Sequence, residues 1–408
     1  MKPTRPRAPE PARRADQPRR AVSKSQSVLE RHRTAALLVI SSSSLILSLL
    51  AVALLAQAFY KPTRVYSGWK PSSKAHELEK NQLGFRGQPI QYGDADFVIL
   101  LLGDSQVQAN ACAYDWMPER RLQFHLANNH GKDTKVFSLG ADGYGQDQEL
   151  LVFREYLKSY RADLVLVWLT PKNDVWNNVF PTNSPNDGAP KPTFWLENGQ
   201  LNGPHQEMGE ELYMARLHLV TFFWRTFLPS RDRQWEQKHL PEPYRPMTTY
   251  AGPVNREWQE RWDLKRGSIR NDNLGNEKSH LAMLLTPRSP RMQYGLDLTR
   301  ALLQEIEKSA SAHGGEVLVF EAAPELSSLE LREQVYGLNG NYYRASERQL
   351  RDNVSDMTRG LTHVFVPVTF EQWKVGPGDS HLNQHAVDQV MKDFAANIAT
   401  RVRLKGNR

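Results

Sequence analysis

Five residues of this sequence have the types and positions that acyl-transfer chemistry needs. Ser105 closes FVILLLGDSQ (97–106), an apolar run of strand character that stops abruptly at Gly103-Asp104-Ser105. A serine presented at a strand end can attack a carbonyl only if a base takes its proton, and a histidine near its ordinary pKa suits that task. GPGDSHLNQH (376–385) supplies His381, with Asp379 two residues earlier to hold the imidazole tautomer and stabilise the imidazolium. Two further blocks lie between. SLGADGYGQDQ (138–148) has three glycines in six residues, which permits a tight turn and lets a backbone N–H face a ligand. Gly143 and Gly140 could each serve that turn. In VWLTPKNDVWNN (167–178), Asn173 stands where its amide could donate a hydrogen bond. Donors aimed at a developing oxyanion are each worth about 2.7–4 kcal/mol. GDS alone says little, since it is expected by chance in roughly one chain of this length in ten.

The elements that would position these residues alternate. Strand-like runs at 97–102, 135–139, 163–169, 316–322 and 363–368 are separated by amphipathic stretches at 117–128, 146–160, 296–312, about 344–359 and about 384–402. Short continuous apolar strands between helices predict an α/β domain, a three-layer α/β/α arrangement around a mostly parallel five-stranded sheet. Ligand sites in such sheets lie beyond the carboxyl ends of the strands, where Ser105 falls. The alternation breaks between about 175 and 290, a polar stretch that holds six of the ten tryptophans: Trp176, Trp195, Trp224, Trp235, Trp258 and Trp262. It is too long for a connection and reads as an insertion over the active edge. These tryptophans could stack on sugar faces, though aromatic residues more often fill cores. LHLVTFFWRTFL (217–228) within it could graze a membrane but more readily packs inside the insertion.

Taken in order, GDS, a glycine turn, Asn-Asp and a C-terminal Asp-x-His resemble the SGNH (GDSL) hydrolase family over roughly residues 80 to 400. NQLGFRG (81–87) is similar to the lead-in of membrane-anchored members. The resemblance implies the flavodoxin-like SGNH fold, Ser105 as nucleophile, Asp379 and His381 completing a triad, and an oxyanion hole from the Ser105 N–H, the Gly143 N–H and the Asn173 amide. Three departures stand out. Many members space acid and base as D-x-x-H, and the D-x-H spacing here is similar to a subgroup that includes alginate O-acetylation proteins, which keeps transfer open beside hydrolysis. Lys172 stands where glycine usually precedes the asparagine, and Ser138 where asparagine usually opens the second block. Asp104 belongs to the family motif and is expected to cap or pack. The activity implied is a serine esterase acting on an acylated envelope carbohydrate or another small ester, with an O-acyltransferase as alternative and a non-catalytic assembly or glycan-binding protein as a third possibility.

The chain has 408 residues and a net charge of +7. That charge lies wholly in residues 1–33, which carry ten Lys/Arg and three Asp/Glu; the remainder balances. A neutral body argues against nucleic-acid binding, which concentrates basic charge on one face. The Pro/Arg/Ser-rich tail 1–33 is expected to be disordered and cytoplasmic. Residues 34–60 carry no charge and are long enough to span a bilayer as a helix. The basic tail before it places the N-terminus in the cytoplasm by the positive-inside rule. Residues 61–95 then read as a linker and lead-in, and 96–408 as the hydrolase-like domain, facing the periplasm or exterior of a single-pass inner-membrane protein. Ala56-Gln57-Ala58 fits a signal-cleavage pattern, but the apolar run is longer than a typical secretory signal. A single cysteine, Cys112, excludes an internal disulfide. No cofactor is implied. His381 and His385 sit four apart, a metal-binding spacing on a helix, yet no partner pattern accompanies them and no metal is expected. Asp174 is either a solvated carboxylate or a support for the site, and Asn353-Val354-Ser355 is a glycosylation sequon of undetermined use.

Overall fold

The computed structural model describes residues 24–59, 79–130, 134–182, 191–205, 231–256, 274–328, 330–376 and 379–405. Most of the basic tail, the segment 217–228 and Trp224, Trp258 and Trp262 lie outside them. The chain divides into two compact units.

One unit holds α1 (Lys24–Phe59), which begins ten residues before the uncharged run. Helical hydrogen bonding carries on through the charged turn, where Thr34 Oγ1 donates to the Glu30 carbonyl at 2.9 Å. Its stretch Glu30–Ala58, whose most apolar 18 residues have a mean hydropathy of 2.4, is long and apolar enough to cross a membrane. Leu38, Ile40, Leu47 and Leu54 all face outward, more than half exposed.

The other unit is the α/β body. Its elements run β1 (Phe97–Gly103), α2 (Ser105–Gln108), α3 (Pro118–His130), β2 (Thr134–Gly140), α4 (Gln146–Leu157), β3 (Leu164–Trp168) and α5 (Pro171–Val179). Then follow β4 (Thr193–Glu197), β5 (Gln200–His205), α6 (Arg231–His239), α7 (Pro290–Ala312) and β6 (Glu316–Ala323). The chain continues through β7 (Gln334–Leu338), β8 (Asn341–Ala345), α8 (Glu347–Met357), β9 (His363–Pro367), β10 (Lys374–Gly376), β11 (Asp379–Leu382) and α9 (Gln384–Lys405). The five expected strands form one sheet in the order β2-β1-β3-β6-β9, every pair parallel.

The two-residue period of β1 explains the layers. Val98, Leu100 and Leu102 enter one core with Leu150 and Phe153 of α4, Val175 and Val179 of α5, Leu302 of α7 and Val354 of α8. Phe97, Ile99 and Leu101 enter the other core with Leu122 and Leu126 of α3 and Val390 and Phe394 of α9. A strand apolar at every position is thus buried on both faces, as a parallel sheet requires.

Three elements depart from the expected boundaries. Helix α7 starts at Pro290, six residues early, because proline fits the first helical turn and Ser289 caps it by accepting the Met292 N–H at 2.9 Å. Residues 344 and 345, expected at the start of a helix, instead end β8, which pairs with β7 as a hairpin; α8 begins only after Ser346, which accepts the Gln349 N–H. Within 175–290 the described residues form the end of α5, the β4–β5 hairpin and α6. Trp235 is buried and donates to the Val179 carbonyl at 2.9 Å, with Trp195 edge-on to it, so these two rings pack on each other.

Candidate active site

The position of Ser105 is set by glycine. Strand β1 ends at Gly103, Asp104 caps α2 by accepting the Gln106 N–H at 2.9 Å, and Ser105 opens the helix. A Cβ on Gly103 would lie 2.4 Å from Val107 Cγ2, and one on Gly140 would lie 2.6 Å from Val107 Cβ. Both glycines therefore serve close packing of this four-residue helix across the ends of β1 and β2. The helix closes at Ala109 in the left-handed region (φ 47°). Arg86, from the lead-in, is buried and donates to the carbonyls of Gln108 (3.3 Å), Ala109 (2.5 Å) and Cys112 (3.0 Å), satisfying the helix's C-terminal acceptors.

Ser105 and the C-terminal pair meet across 276 residues of sequence. His381 Nε2 lies 2.7 Å from Ser105 Oγ, and His381 Nδ1 lies 2.5 Å from Asp379 Oδ1. Asp379 Oδ1 also accepts the His381 backbone N–H at 3.0 Å. The D-x-H spacing works because both residues lie on strand β11, where side chains two apart share a face. Their side chains are 44% and 42% exposed, so water reaches both.

Asn173 sits in the first turn of α5. Its Nδ2 donates to Asp104 Oδ2 at 2.8 Å, and its Oδ1 accepts from Asn177 Nδ2 at 3.1 Å. These two bonds fix which way the amide faces and leave one amide N–H uncommitted to either. Asp104 is buried. Burial pushes its carboxyl above the usual carboxylate range, against the pull of the Gln106 N–H and the Asn173 amide. Gly143 lies in the turn after β2 with φ 72°, a conformation that favours glycine. The amides beside it are taken: Asp142 N–H donates to Gln108 Oε1 (3.0 Å) and Tyr144 N–H to the Ala141 carbonyl (3.2 Å). Gly140, the alternative donor, ends β2 and packs closely against Val107.

The departures from the family pattern have local explanations. Lys172 turns its ammonium to Glu347 at 2.9 Å, while its carbonyl accepts from Trp176 Nε1. Ser138 donates to the buried Glu119 at 2.7 Å, behind the site. Asp174 is no solvated loop carboxylate; it is buried and accepts from the Thr170 N–H and Gln146 Nε2. His385 lies edge-on to Trp116, and among the described residues no cluster of metal-ligating side chains forms. Asn353 of the sequon is fully buried and donates to the Met283 carbonyl.

Sequence reasoning missed the support under this site. Gln146, Asp147, Gln148 and Glu149 open α4 fully buried, and Lys191 pairs with Asp147 with both side chains fully buried. Burial, then the neighbouring Asp174, pushes Glu149 well above the usual carboxylate range; burial, then Asp104, does the same to Asp174. A run QDQE ordinarily marks an exposed helix face, so no signal was available. Also missed was His280, tilted against Trp176 with ring centroids 5.7 Å apart, whose pKa burial lowers to about 4, with Lys172 and His381 adding to the effect. A pKa that low leaves its imidazole neutral at neutral pH.

Solved structures similar to this chain include TesA (10% identity, TM-score 0.34, 74% of this chain and 98% of that one). A carbohydrate acetylesterase from Sinorhizobium meliloti (9%, 0.34, 75% and 99%) and a GDSL-like lipase candidate from Parabacteroides merdae (11%, 0.32, 75% and 96%) are also similar. No family model matches the chain, and no curated protein does. The chemistry of the site rests on the distances above.

Proposed function

We propose that the protein is an SGNH-type serine esterase that removes acyl groups, acetyl foremost, from an envelope carbohydrate or related ester. The observation that carries this reading is the Ser105–His381–Asp379 alignment, with both imidazole nitrogens engaged. His381 Nε2 accepts the Ser105 proton as Oγ attacks the ester carbonyl, and the tetrahedral oxyanion is met by the Ser105 and Gly143 N–H groups and the Asn173 amide. Collapse expels the alcohol, which takes the proton back from His381. Water, deprotonated by His381, then releases the acid and regenerates Ser105. The exposure of the base supports water as the acceptor. The apolar helix α1 and the Lys/Arg excess before it support a single-pass anchor with the N-terminus in the cytoplasm and the body outside it.

Ser105→Ala is expected to abolish p-nitrophenyl acetate hydrolysis with the unfolding midpoint unchanged; undiminished turnover would sink the reading. The D-x-H spacing supports O-acyl transfer as a second reading. Adding candidate acceptor sugars to the same assay decides it, acylated sugar in place of free acid marking transfer.

A further inference from the structure

The base is carried by the part of the site that lies outside the main sheet. Strands β10 and β11 form a two-stranded ribbon apart from the five-stranded sheet, and its catalytic side chains are half exposed. Leu382, one residue after His381, is the ribbon's buried foot. Its backbone is held from the nucleophile's side: Gln106 Oε1 accepts the Leu382 N–H at 3.2 Å, and Cys112 Sγ lies 3.9 Å from the Leu382 carbonyl. Gln106 is also the residue after Ser105, in a four-residue helix fixed at one end by the Asp104 cap and at the other by Arg86. A chain of adjacent groups therefore links the two reacting atoms: Ser105, Gln106, the Leu382 amide, His381. Any drift of the ribbon lengthens the 2.7 Å contact between Ser105 Oγ and His381 Nε2.

We infer that Gln106 is a positioning residue, setting the base at hydrogen-bonding distance from the nucleophile through the Leu382 N–H. This rests on Ser105 and His381 acting as nucleophile and base. The role needs an acceptor at the end of a side chain of glutamine's length. Leucine there fills the space without accepting; glutamate accepts and adds a charge near His381.

Gln106→Leu and Gln106→Glu variants of the full chain, in detergent, test it against p-nitrophenyl acetate. Gln106→Leu is expected to lower kcat by about 10–100-fold, the scale of a 1 Å misplacement, with KM and the unfolding midpoint nearly unchanged. Gln106→Glu is expected to restore most of kcat and to move the acid limb of the kcat/KM profile to higher pH, because a carboxylate favours the imidazolium. Undiminished kcat in Gln106→Leu, or a Gln106→Glu chain as slow as the leucine variant, overturns the assignment. A wild-type chain whose Ser105 a fluorophosphonate fails to label overturns the hydrolase reading as well, and with it any base to position.

Discussion

At the scale of single residues, the glycine of GDS has a steric role that its motif does not announce. Gly103 and Gly140 face the same valine, and neither approach leaves room for a Cβ. Gly103→Ala should therefore cost about 1–3 kcal/mol, the usual range for overpacking, and should displace Ser105. Val107→Ala in the same chain should recover part of the loss. Urea unfolding of the two single variants and the double variant measures the coupling, and additivity would refute the clash. Asp104 likewise has a definite task, holding Asn173 while capping α2.

At the scale of elements, one buried ion pair ties the stretch after Val179 to the body and another holds parts of that stretch together. Lys191 reaches Asp147 at the start of α4, close behind the Gly143 turn, and Lys278 reaches Asp232 of α6 and Thr182. Burial pushes Asp147 up and Lys191 down, each partner opposing the shift of the other. Removing one partner leaves an uncompensated buried group, so Asp147→Ala should destabilise by about 3–5 kcal/mol. Replacing both with apolar residues of similar size, Asp147→Leu with Lys191→Met, should return most of that stability. Chemical denaturation of both variants checks this, and equal losses would rule out the uncompensated buried group as the cause. The lead-in behaves as an element of the body too: Asn81 donates to the Ser138 carbonyl and Arg86 closes α2.

At the scale of the whole molecule, buried carboxyls shape the response to pH. Burial pushes Glu119 up to about 7, against the Ser138 hydroxyl and the Gln88 N–H that pull it down. Folded protein thus keeps a proton between about pH 4.5 and 7 that the unfolded chain has released, so stability falls as pH rises through that window and levels off above it. The Glu119 contribution amounts to about 3 kcal/mol at most. Glu149 and Asp174 act with the same sign. Asp388 acts oppositely: burial raises it, but Arg121 and His125 hold it below its ordinary value, so its contribution is present at neutral pH and lost in acid. Glu119→Gln should flatten the fall in unfolding free energy between pH 5 and pH 7; an unaltered slope would place the effect elsewhere.

Residue order alone specified five parallel strands, the apolar membrane-length helix and the five candidate site residues, because continuous apolar runs and loop chemistry are local properties of a chain. Its failures were local as well: the proline-started first turn of α7 and the β7–β8 hairpin around Asn339-Gly340 both lie in stretches it left outside its elements or assigned to the next one. The register that brings His381 to Ser105 belongs to the fold, as do the burial of QDQE and the reach of Gln106 to Leu382. Each depends on which distant backbone lies alongside, and polar patterning cannot distinguish a side chain facing water from one facing another strand's amide.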